Sequence, residues 1–345
     1  MIEISYIIIL ISSILLIEKL FQSKNFLQSQ SGERHQKFVE NQSVPLIGGF
    51  YFAITFSIIF YETDQVILSS AITSIFILGL ISDLKLIRSP KIRFIFQTII
   101  IFFFAYLFEL KIVSTRIPFF DNFLQYEILN FLFVIFCTLI LINGTNFIDG
   151  LNGLVIGYFT IISIALYSIG LFDDLNFTSR EYIIFFSLMI LMFLFNIFNK
   201  LYLGDSGAYT VGLTFSFLII KYHEKFSSIS PYFIILLLWY PCFENLFSII
   251  RKSRFKRSPM HPDENHLHQM LFFFIKKKFK LKNIHTNNLS SSIILSFNMI
   301  IIYVACQHLY STKVQIIILL IAVLSYIFSY ITLFNFKYKV LQKLS

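Results

Sequence analysis

The amino-acid sequence predicts an all-α, polytopic integral membrane protein, and three observations lead to that prediction. The chain of 345 residues is 57% hydrophobic and only 14% charged, and its mean hydropathy is +0.75. A soluble domain of this size needs more polar surface, because much of its area faces water. The apolar residues form runs of about 20, the length that a helix needs to cross a bilayer core. Such runs are expected to be helical, because lipid cannot satisfy backbone polar groups.

We predict about eleven transmembrane helices in one transmembrane domain, residues 1–345. The first apolar run has no basic leading segment and is interpreted as a retained span, not a signal peptide. The polar residues 251–290 are expected to form a basic cytoplasmic loop that carries a histidine motif. The predicted spans are 2–21, 46–62, 66–82, 92–109, 128–143, 151–172, 182–199, 207–222, 231–250, 291–309 and 314–334.

The distribution of Lys and Arg predicts the orientation of the chain. Of the 28 basic residues, 21 lie on the face that contains the loops after every second span. Short cytoplasmic loops carry such an excess, so this face is expected to be cytoplasmic, with the N-terminus outside and the C-terminus inside. Topology and anionic lipid headgroups account for the net charge of +9, so nucleic acid is not an expected partner.

Unusual polar residues follow alternate spans, so they are expected to meet at this cytoplasmic face. Taken alone, each group also has an ordinary interpretation as a helix end, a turn or a solvated loop. Four groups on one face favour a functional site. The groups are Asp83; Asn143, Asn146, Asp149 and Asn152; Gly204-Asp205-Ser206-Gly207; and His261, His266 and His268.

These residue types suit phosphoryl transfer with Mg²⁺. Mg²⁺ prefers oxygen ligands, usually takes one or two protein carboxylates, and shares its remaining positions with phosphate and water. Lys91 and Arg93, at the start of the fourth span, can neutralise a lipid phosphate near the interface. No Walker-type glycine-rich loop is present in the sequence, which argues against ATP hydrolysis.

Two metal-binding alternatives are disfavoured. Zinc at the histidines would need further ligands that the sequence does not offer nearby. Cys137, Cys242 and Cys306 lie in or beside apolar runs, so they are interpreted as buried or lipid-facing residues. Binding of a phosphate or a sugar hydroxyl suits the histidines better.

Five motifs resemble the polyprenyl-phosphate N-acetylhexosamine-1-phosphate transferases, the WecA/TagO branch of a glycosyltransferase family that includes the peptidoglycan enzyme MraY. The resemblance extends from about Val44 to Leu271. The motifs are Pro45-Leu-Ile-Gly48-Gly49, Gly79-Leu-Ile-Ser82-Asp83, Asn143-Gly-Thr-Asn146-Phe-Ile-Asp149-Gly150-Leu-Asn152-Gly153-Leu154, Leu203-Gly204-Asp205-Ser206-Gly207 and His261-Pro-Asp-Glu-Asn-His266-Leu-His268.

The resemblance implies roles for the motif residues. Asp205, with Asp149, would bind Mg²⁺, with Mn²⁺ as a substitute, and Asp83 would orient the lipid phosphate or the metal. Asn146 would hold the nucleotide or the metal, supported by Asn143 and Asn152. His266 and His268 would contact the diphosphate or the sugar.

The implied reaction is attack of undecaprenyl phosphate on the β-phosphorus of a UDP-N-acetylhexosamine, which releases UMP. It would initiate a surface glycan, such as O-antigen lipopolysaccharide or capsule, at the bacterial cytoplasmic (inner) membrane. The sequence leaves open the sugar, the glycan and whether the protein forms a homodimer.

Two positions depart from the family pattern. Ser82 replaces the first Asp of an Asp-Asp pair, and Gln269 replaces the third residue of the histidine cluster. A phosphate monoester is largely deprotonated at neutral pH, so direct attack without a base at position 82 is expected.

Three competing hypotheses remain. A transporter or flippase for a lipid-linked sugar would place polar residues at mid-membrane, often in repeated halves. Here they cluster at span ends, and no repeat is visible. An inactive or regulatory homologue is suggested only by Ser82. The muramoyl-pentapeptide transferase normally keeps both Asp residues and three histidines, so it ranks below the simpler transferases.

Overall fold

The computed structural model describes residues 2–24, 44–254 and 265–342, and these ranges fold into fourteen helices. The helices are α1 (Ile2–Lys24), α2 (Gly48–Glu62), α3 (Val66–Asp83), α4 (Pro90–Leu107), α5 (Pro118–Leu124), α6 (Glu127–Ile148), α7 (Leu154–Ser168), α8 (Leu171–Asp174), α9 (Ser179–Ile197), α10 (Gly204–Lys225), α11 (Pro231–Arg254), α12 (Leu267–Phe279), α13 (Asn283–Cys306) and α14 (Thr312–Gln342).

Each of the eleven predicted spans coincides with one of these helices. Within the described ranges, seven helices are long and apolar enough to cross a membrane, namely α3, α4, α6, α9, α11, α13 and α14. Helices α2 and α7 are apolar but shorter, with 15 residues each. The described chain is therefore that of a multi-pass helical membrane protein. The number of eleven crossings and the orientation of the termini stay predictions.

The segment 251–290 is more helical than the expected loop. Helix α11 continues to Arg254, α12 covers Leu267–Phe279, and α13 already begins at Asn283. Leu267, Met270 and Ile275 lie on one side of α12 and are buried, so this short helix packs by an amphipathic face. With 13 residues, it is too short to span a bilayer.

Helix α10 occupies the centre of the bundle, where α2, α3, α6 and α11 pack around it. It is buried along nearly its whole length. Its first turn touches α3 so closely that a Cβ atom on Gly79 would lie 2.3 Å from the Cα of Ser206. This close approach brings Asp83, the last residue of α3, to the start of α10.

The segments before α2 and before α10 are joined by a short backbone bridge. The N–H of Tyr202 donates to the carbonyl of Pro45 at 2.9 Å, and the N–H of Gly48 donates to the carbonyl of Tyr202 at 3.0 Å. Two sequence motifs, Pro45–Gly49 and Leu203–Gly207, therefore lie side by side at one end of the bundle.

Candidate active site

Asp205, in the first turn of α10, is the centre of a polar cluster made by three other helices. Its Oδ1 accepts a hydrogen bond from the amide of Asn146 at 2.7 Å. Its Oδ2 accepts from the hydroxyl of Ser82 at 2.6 Å and pairs with the guanidinium of Arg93 at 2.5 Å. Arg93 also donates to the Ser82 hydroxyl at 2.8 Å and hydrogen-bonds the buried Tyr209.

Asp83 fixes the start of α10 from outside the helix. Its two carboxylate oxygens accept the backbone N–H groups of Asp205 at 2.8 Å and of Ser206 at 3.0 Å. The first N–H groups of a helix have no partner within it, and a carboxylate there is also stabilised by the helix dipole. Asp83 therefore holds the backbone that carries Asp205.

Gly204 makes this arrangement possible, because its φ is +74° and its Cα faces Asp83. We expect Gly204→Ala to destabilise the fold, since an L-residue in the left-handed region costs about 1–2 kcal/mol. The added Cβ would lie 2.8 Å from Asp83 Oδ2, so we also expect displacement of that carboxylate and a large loss of catalytic turnover. Thermal unfolding in detergent and a turnover assay measure the two effects.

Gly170→Ala is the matched control for this substitution. Gly170 has a φ of +80°, but a Cβ there would lie no closer than 3.8 Å to Asp173. We expect a similar loss of stability with unchanged turnover. Equal losses of turnover in both variants would contradict the role assigned to the contact between Gly204 and Asp83.

Asp149 lies just after α6 and completes the group of three carboxylates. Its carboxylate accepts a hydrogen bond from the backbone N–H of Gly204. Burial raises the pKa of Asp149 well above its usual value, and the neighbouring charges of Asp205 and Asp83 raise it further. The structure therefore brings Asp83, Asp149 and Asp205 together, as the sequence predicts.

The other predicted polar residues lie at different distances from this centre. Asn143 donates to the side chain of Gln97 on α4 at 3.1 Å. Asn152 is buried and bonds the Asn199 side chain, while its backbone N–H donates to Asn287 at 2.7 Å. Lys91 is exposed on the first turn of α4. In this structure Asn152 holds the turn before α7 in place, and only Asn146 of the three asparagines contacts a carboxylate of the centre.

The two histidines of the motif that the structure describes stack beside the same cluster. The rings of His266 and His268 have centroids 5.7 Å apart and an interplanar angle of 17°. Both are buried. His266 also lies 5.3 Å from the ring of Phe147, and a Cβ on Gly150 would lie 2.5 Å from His268 Nε2. The histidines therefore pack against the segment between Asn146 and Gly150.

Gln269 has a structural explanation. Its side chain accepts the backbone N–H of His266 at 3.3 Å, so it caps the first turn of α12. A glutamine at this position stabilises the start of the helix that presents His266 and His268. The third histidine of the predicted motif, His261, lies outside the described residues.

The donor set fits a divalent cation. Three carboxyl groups meet beside one guanidinium, and burial together with the charges of Asp205 and Asp83 raises the pKa of Asp149. A divalent cation would stabilise the charged carboxylates against this burial and repulsion. Among the described residues, no group of three or more His, Cys, Asp or Glu side chains could hold a metal ion by itself. Mg²⁺ needs only one or two carboxylates when phosphate and water supply its other ligands, so Asp205 and Asp149 are the residues that would hold it.

Sequence reasoning did not find Glu244, Tyr326 or Tyr209. Glu244 accepts a hydrogen bond from Tyr326 at 2.8 Å and contacts His266 Nδ1 at 2.9 Å. A signal for it was present, because an acidic residue inside the apolar run 231–250 is costly and is a functional candidate by default. No sequence pattern connects Tyr326 or Tyr209 to the site.

Comparison with known proteins agrees with the resemblance that the motifs indicate. Residues 65–223 match the model of glycosyl transferase family 4. This segment includes Asp83, Arg93, Asn146, Asp149 and Asp205, which are the residues that converge in the structure.

Three relatives illustrate the similarity. The chain is 29% identical to the decaprenyl-phosphate N-acetylglucosaminephosphotransferase of Mycolicibacterium smegmatis, over 42% of this chain and 41% of that protein. It is 27% identical to the probable undecaprenyl-phosphate N-acetylglucosaminyl 1-phosphate transferase of Bacillus subtilis, over 68% of each. It is 26% identical to the phospho-N-acetylmuramoyl-pentapeptide-transferase of Staphylococcus saprophyticus, over 68% of this chain and 81% of that protein. Over residues 65–223 the chain is therefore similar to glycosyl transferase family 4, and the alignment spans less than half the length of the Mycolicibacterium smegmatis relative.

Proposed function

We propose that the protein transfers an N-acetylhexosamine 1-phosphate from a UDP-sugar to undecaprenyl phosphate at the cytoplasmic face of a bacterial inner membrane. The observation that carries the proposal is the convergence of Asp83, Asp149 and Asp205. They come from three separate connections and meet beside Arg93 at one end of the bundle. Relatives named as polyprenyl-phosphate N-acetylglucosamine-phosphate transferases support the same reaction class.

The proposed reaction exchanges one phosphorus–oxygen bond for another. An oxygen of the lipid phosphate attacks the β-phosphorus of the UDP-sugar, and the bond between that phosphorus and the bridging oxygen breaks. The products are UMP and a polyprenyl-diphosphate sugar. Asp205 and Asp149 would hold Mg²⁺, which would supply positive charge to stabilise the leaving UMP.

The residues of the chain would bind and orient the two substrates. Arg93, at the start of α4, would pair with the phosphate of the lipid acceptor, and Lys91 would add positive charge at the membrane surface. Asn146 holds Asp205 in place. His266 and His268 would contact the diphosphate or the sugar of the donor.

The position of the polar centre supports transfer over transport. Asp83 ends α3, Arg93 begins α4, and Asp205 begins α10. A transport path would need polar residues along the middle of the helices. The excess of Lys and Arg in the connections at this end is the argument for its cytoplasmic orientation.

A panel of UDP-sugars tests the proposed function. The purified protein is incubated with undecaprenyl phosphate, Mg²⁺ and UDP-GlcNAc, UDP-GalNAc, UDP-QuiNAc or UDP-FucNAc, and UMP release is measured. We expect release that depends on the lipid acceptor and is lost with EDTA. Release without acceptor, or no release from any donor, would reject the proposal.

Ser82→Ala tests whether the reaction needs a base at position 82. The substitution removes one hydrogen bond to the Asp205 carboxylate, while Arg93 still pairs with the same oxygen. A hydrogen bond to a charged group contributes about 1.5 kcal/mol or more, so we expect a loss of turnover of about tenfold.

Ser216→Ala is the control for this prediction. Its hydroxyl is also buried, but it donates to Thr138 at 2.9 Å, about three turns along α10 from Asp205. We expect unchanged turnover. A loss in Ser82→Ala as large as that in a variant without the Asp205 carboxylate would contradict direct attack by the lipid phosphate.

A further inference from the structure

We propose that Glu244 is a positioning residue of the histidine site and that Tyr326 holds Glu244 in turn. Glu244 acts through His266, whose ring it orients towards the donor. This inference rests on the proposed transferase function, in which His266 contacts the donor. The inference adds two residues to the site, Glu244 on α11 and Tyr326 on α14. Both helices lie beyond the segment that the family model matches.

The Glu244 carboxylate is fully buried and has partners on both oxygens. Oε1 lies 2.9 Å from His266 Nδ1 and accepts the backbone N–H of Leu267 at 3.3 Å. Oε2 accepts the hydroxyl of Tyr326 at 2.8 Å. A buried carboxylate without partners costs several kcal/mol, so Glu244 is stable only where these partners surround it. The contacts hold its carboxylate at the place where α11, α12 and α14 meet.

The contact also favours one tautomer of His266. As a carboxylate, Glu244 can only accept, so it favours the tautomer that carries a hydrogen on Nδ1. Nε2 then lies on the ring edge that points away from Glu244. In other proteins a carboxylate partner sets the tautomer and the orientation of a functional imidazole in the same way.

The oriented ring forms part of the wall of the active site. His266 contacts Phe147, which lies between Asn146 and Asp149 in the chain. The His266 ring also stacks on His268, which packs against Gly150. A rotation of the His266 ring would therefore change the surface next to the carboxylate centre.

A double-mutant cycle separates positioning from a structural bond between α11 and α14. Glu244→Gln keeps an acceptor but removes the charge, and we expect a fall of about 10–100-fold in kcat/KM for the UDP-sugar that the panel identifies. Because Glu244 acts through His266, the double variant with His266→Gln should lose no more than His266→Gln alone. Tyr326→Phe should lose a few-fold, since one neutral donor is removed.

Tyr158→Phe is the matched control. Its hydroxyl is buried and also bonds α11, at the carbonyl of Leu237 at 2.8 Å, but it does not touch Glu244. We expect unchanged kcat/KM, and additivity with His266→Gln. Wild-type kcat/KM in Glu244→Gln, or additive losses of Glu244→Gln and His266→Gln, would overturn the proposal.

Magic-angle-spinning NMR of ¹⁵N-histidine protein in lipid bilayers tests the contact without any turnover. With His266 assigned by its loss in His266→Gln, we expect a protonated, hydrogen-bonded Nδ1 in the wild type and in Tyr158→Phe. In Glu244→Ala this signal should shift or be lost. An Nδ1 without a proton in the wild type would reject the positioning role. If no UDP-sugar of the panel releases UMP, the transferase function is rejected. The NMR experiment would still test the contact between Glu244 and His266, because it does not depend on turnover.

Discussion

Asp205→Asn is expected to abolish UMP release while the protein remains folded. The carboxylate is the common partner of Asn146, Ser82 and Arg93, and it is the principal proposed metal ligand. Its loss in a partly buried site should cost about 4 kcal/mol of transition-state stabilisation, or about 10³-fold in turnover. The fold should survive, because Asp83 accepts the backbone N–H of residue 205 and not its side chain.

UMP release, together with size-exclusion chromatography in detergent, measures both parts of this prediction. Asp174→Asn is the control, since it also removes a carboxylate that pairs with a basic residue, Lys225, at 2.8 Å. That pair lies at the opposite end of α10, and we expect unchanged turnover. Full activity of Asp205→Asn would reject the role of Asp205 in binding the metal.

Asp149→Asn is expected to lower turnover by about 10²–10³-fold without lowering stability. The folded protein disfavours the charged form of Asp149, because burial and the charges of Asp205 and Asp83 raise its pKa. A group whose pKa is raised on folding destabilises the folded protein when it ionises at higher pH. A neutral asparagine removes this cost, so thermal unfolding at pH 8 should occur at the same or a higher temperature.

Asp121→Asn should give the opposite pattern. Partial burial opposes ionisation of Asp121, but hydrogen bonds from Thr115 and Ser114 outweigh it and lower the pKa. Its charged form therefore stabilises the fold above the pKa of an unfolded aspartate, and that contribution is lost in the asparagine variant. We expect lower stability with unchanged turnover. Wild-type turnover and UDP-sugar affinity in Asp149→Asn would reject the site at Asp149.

Much of the fold could be predicted because hydropathy and length act locally. Each predicted span coincides with a helix, since an apolar run of this length has few other ways to satisfy its backbone. The short helices were not predicted, because their apolar runs are shorter than a membrane span. Helix α12 has only 13 residues and carries lysines in its last turn, so its composition is typical of a polar connection as much as of a helix.

The site could be predicted in part, because its acidic residues lie at the ends of spans. Alternation of the spans places Asp83, Asp149 and Asp205 at one end of the bundle, and the structure brings them into contact. Within one motif, however, Asn146 contacts Asp205, while Asn143 contacts Gln97 on α4. The rotation of α6 against its neighbours decides between these partners, and a single sequence does not contain that rotation.

By itself, the sequence determined that this is a helical membrane protein and that the acidic residues of three connections meet at one end of the bundle. These properties depend on composition, length and order along the chain. Only the tertiary structure decided that Arg93 pairs with Asp205, that Gly204 must be a glycine beside Asp83, and that Glu244 joins His266 to Tyr326. Such contacts join residues 22 to 121 positions apart, and close packing of the helices, not local propensity, selects them.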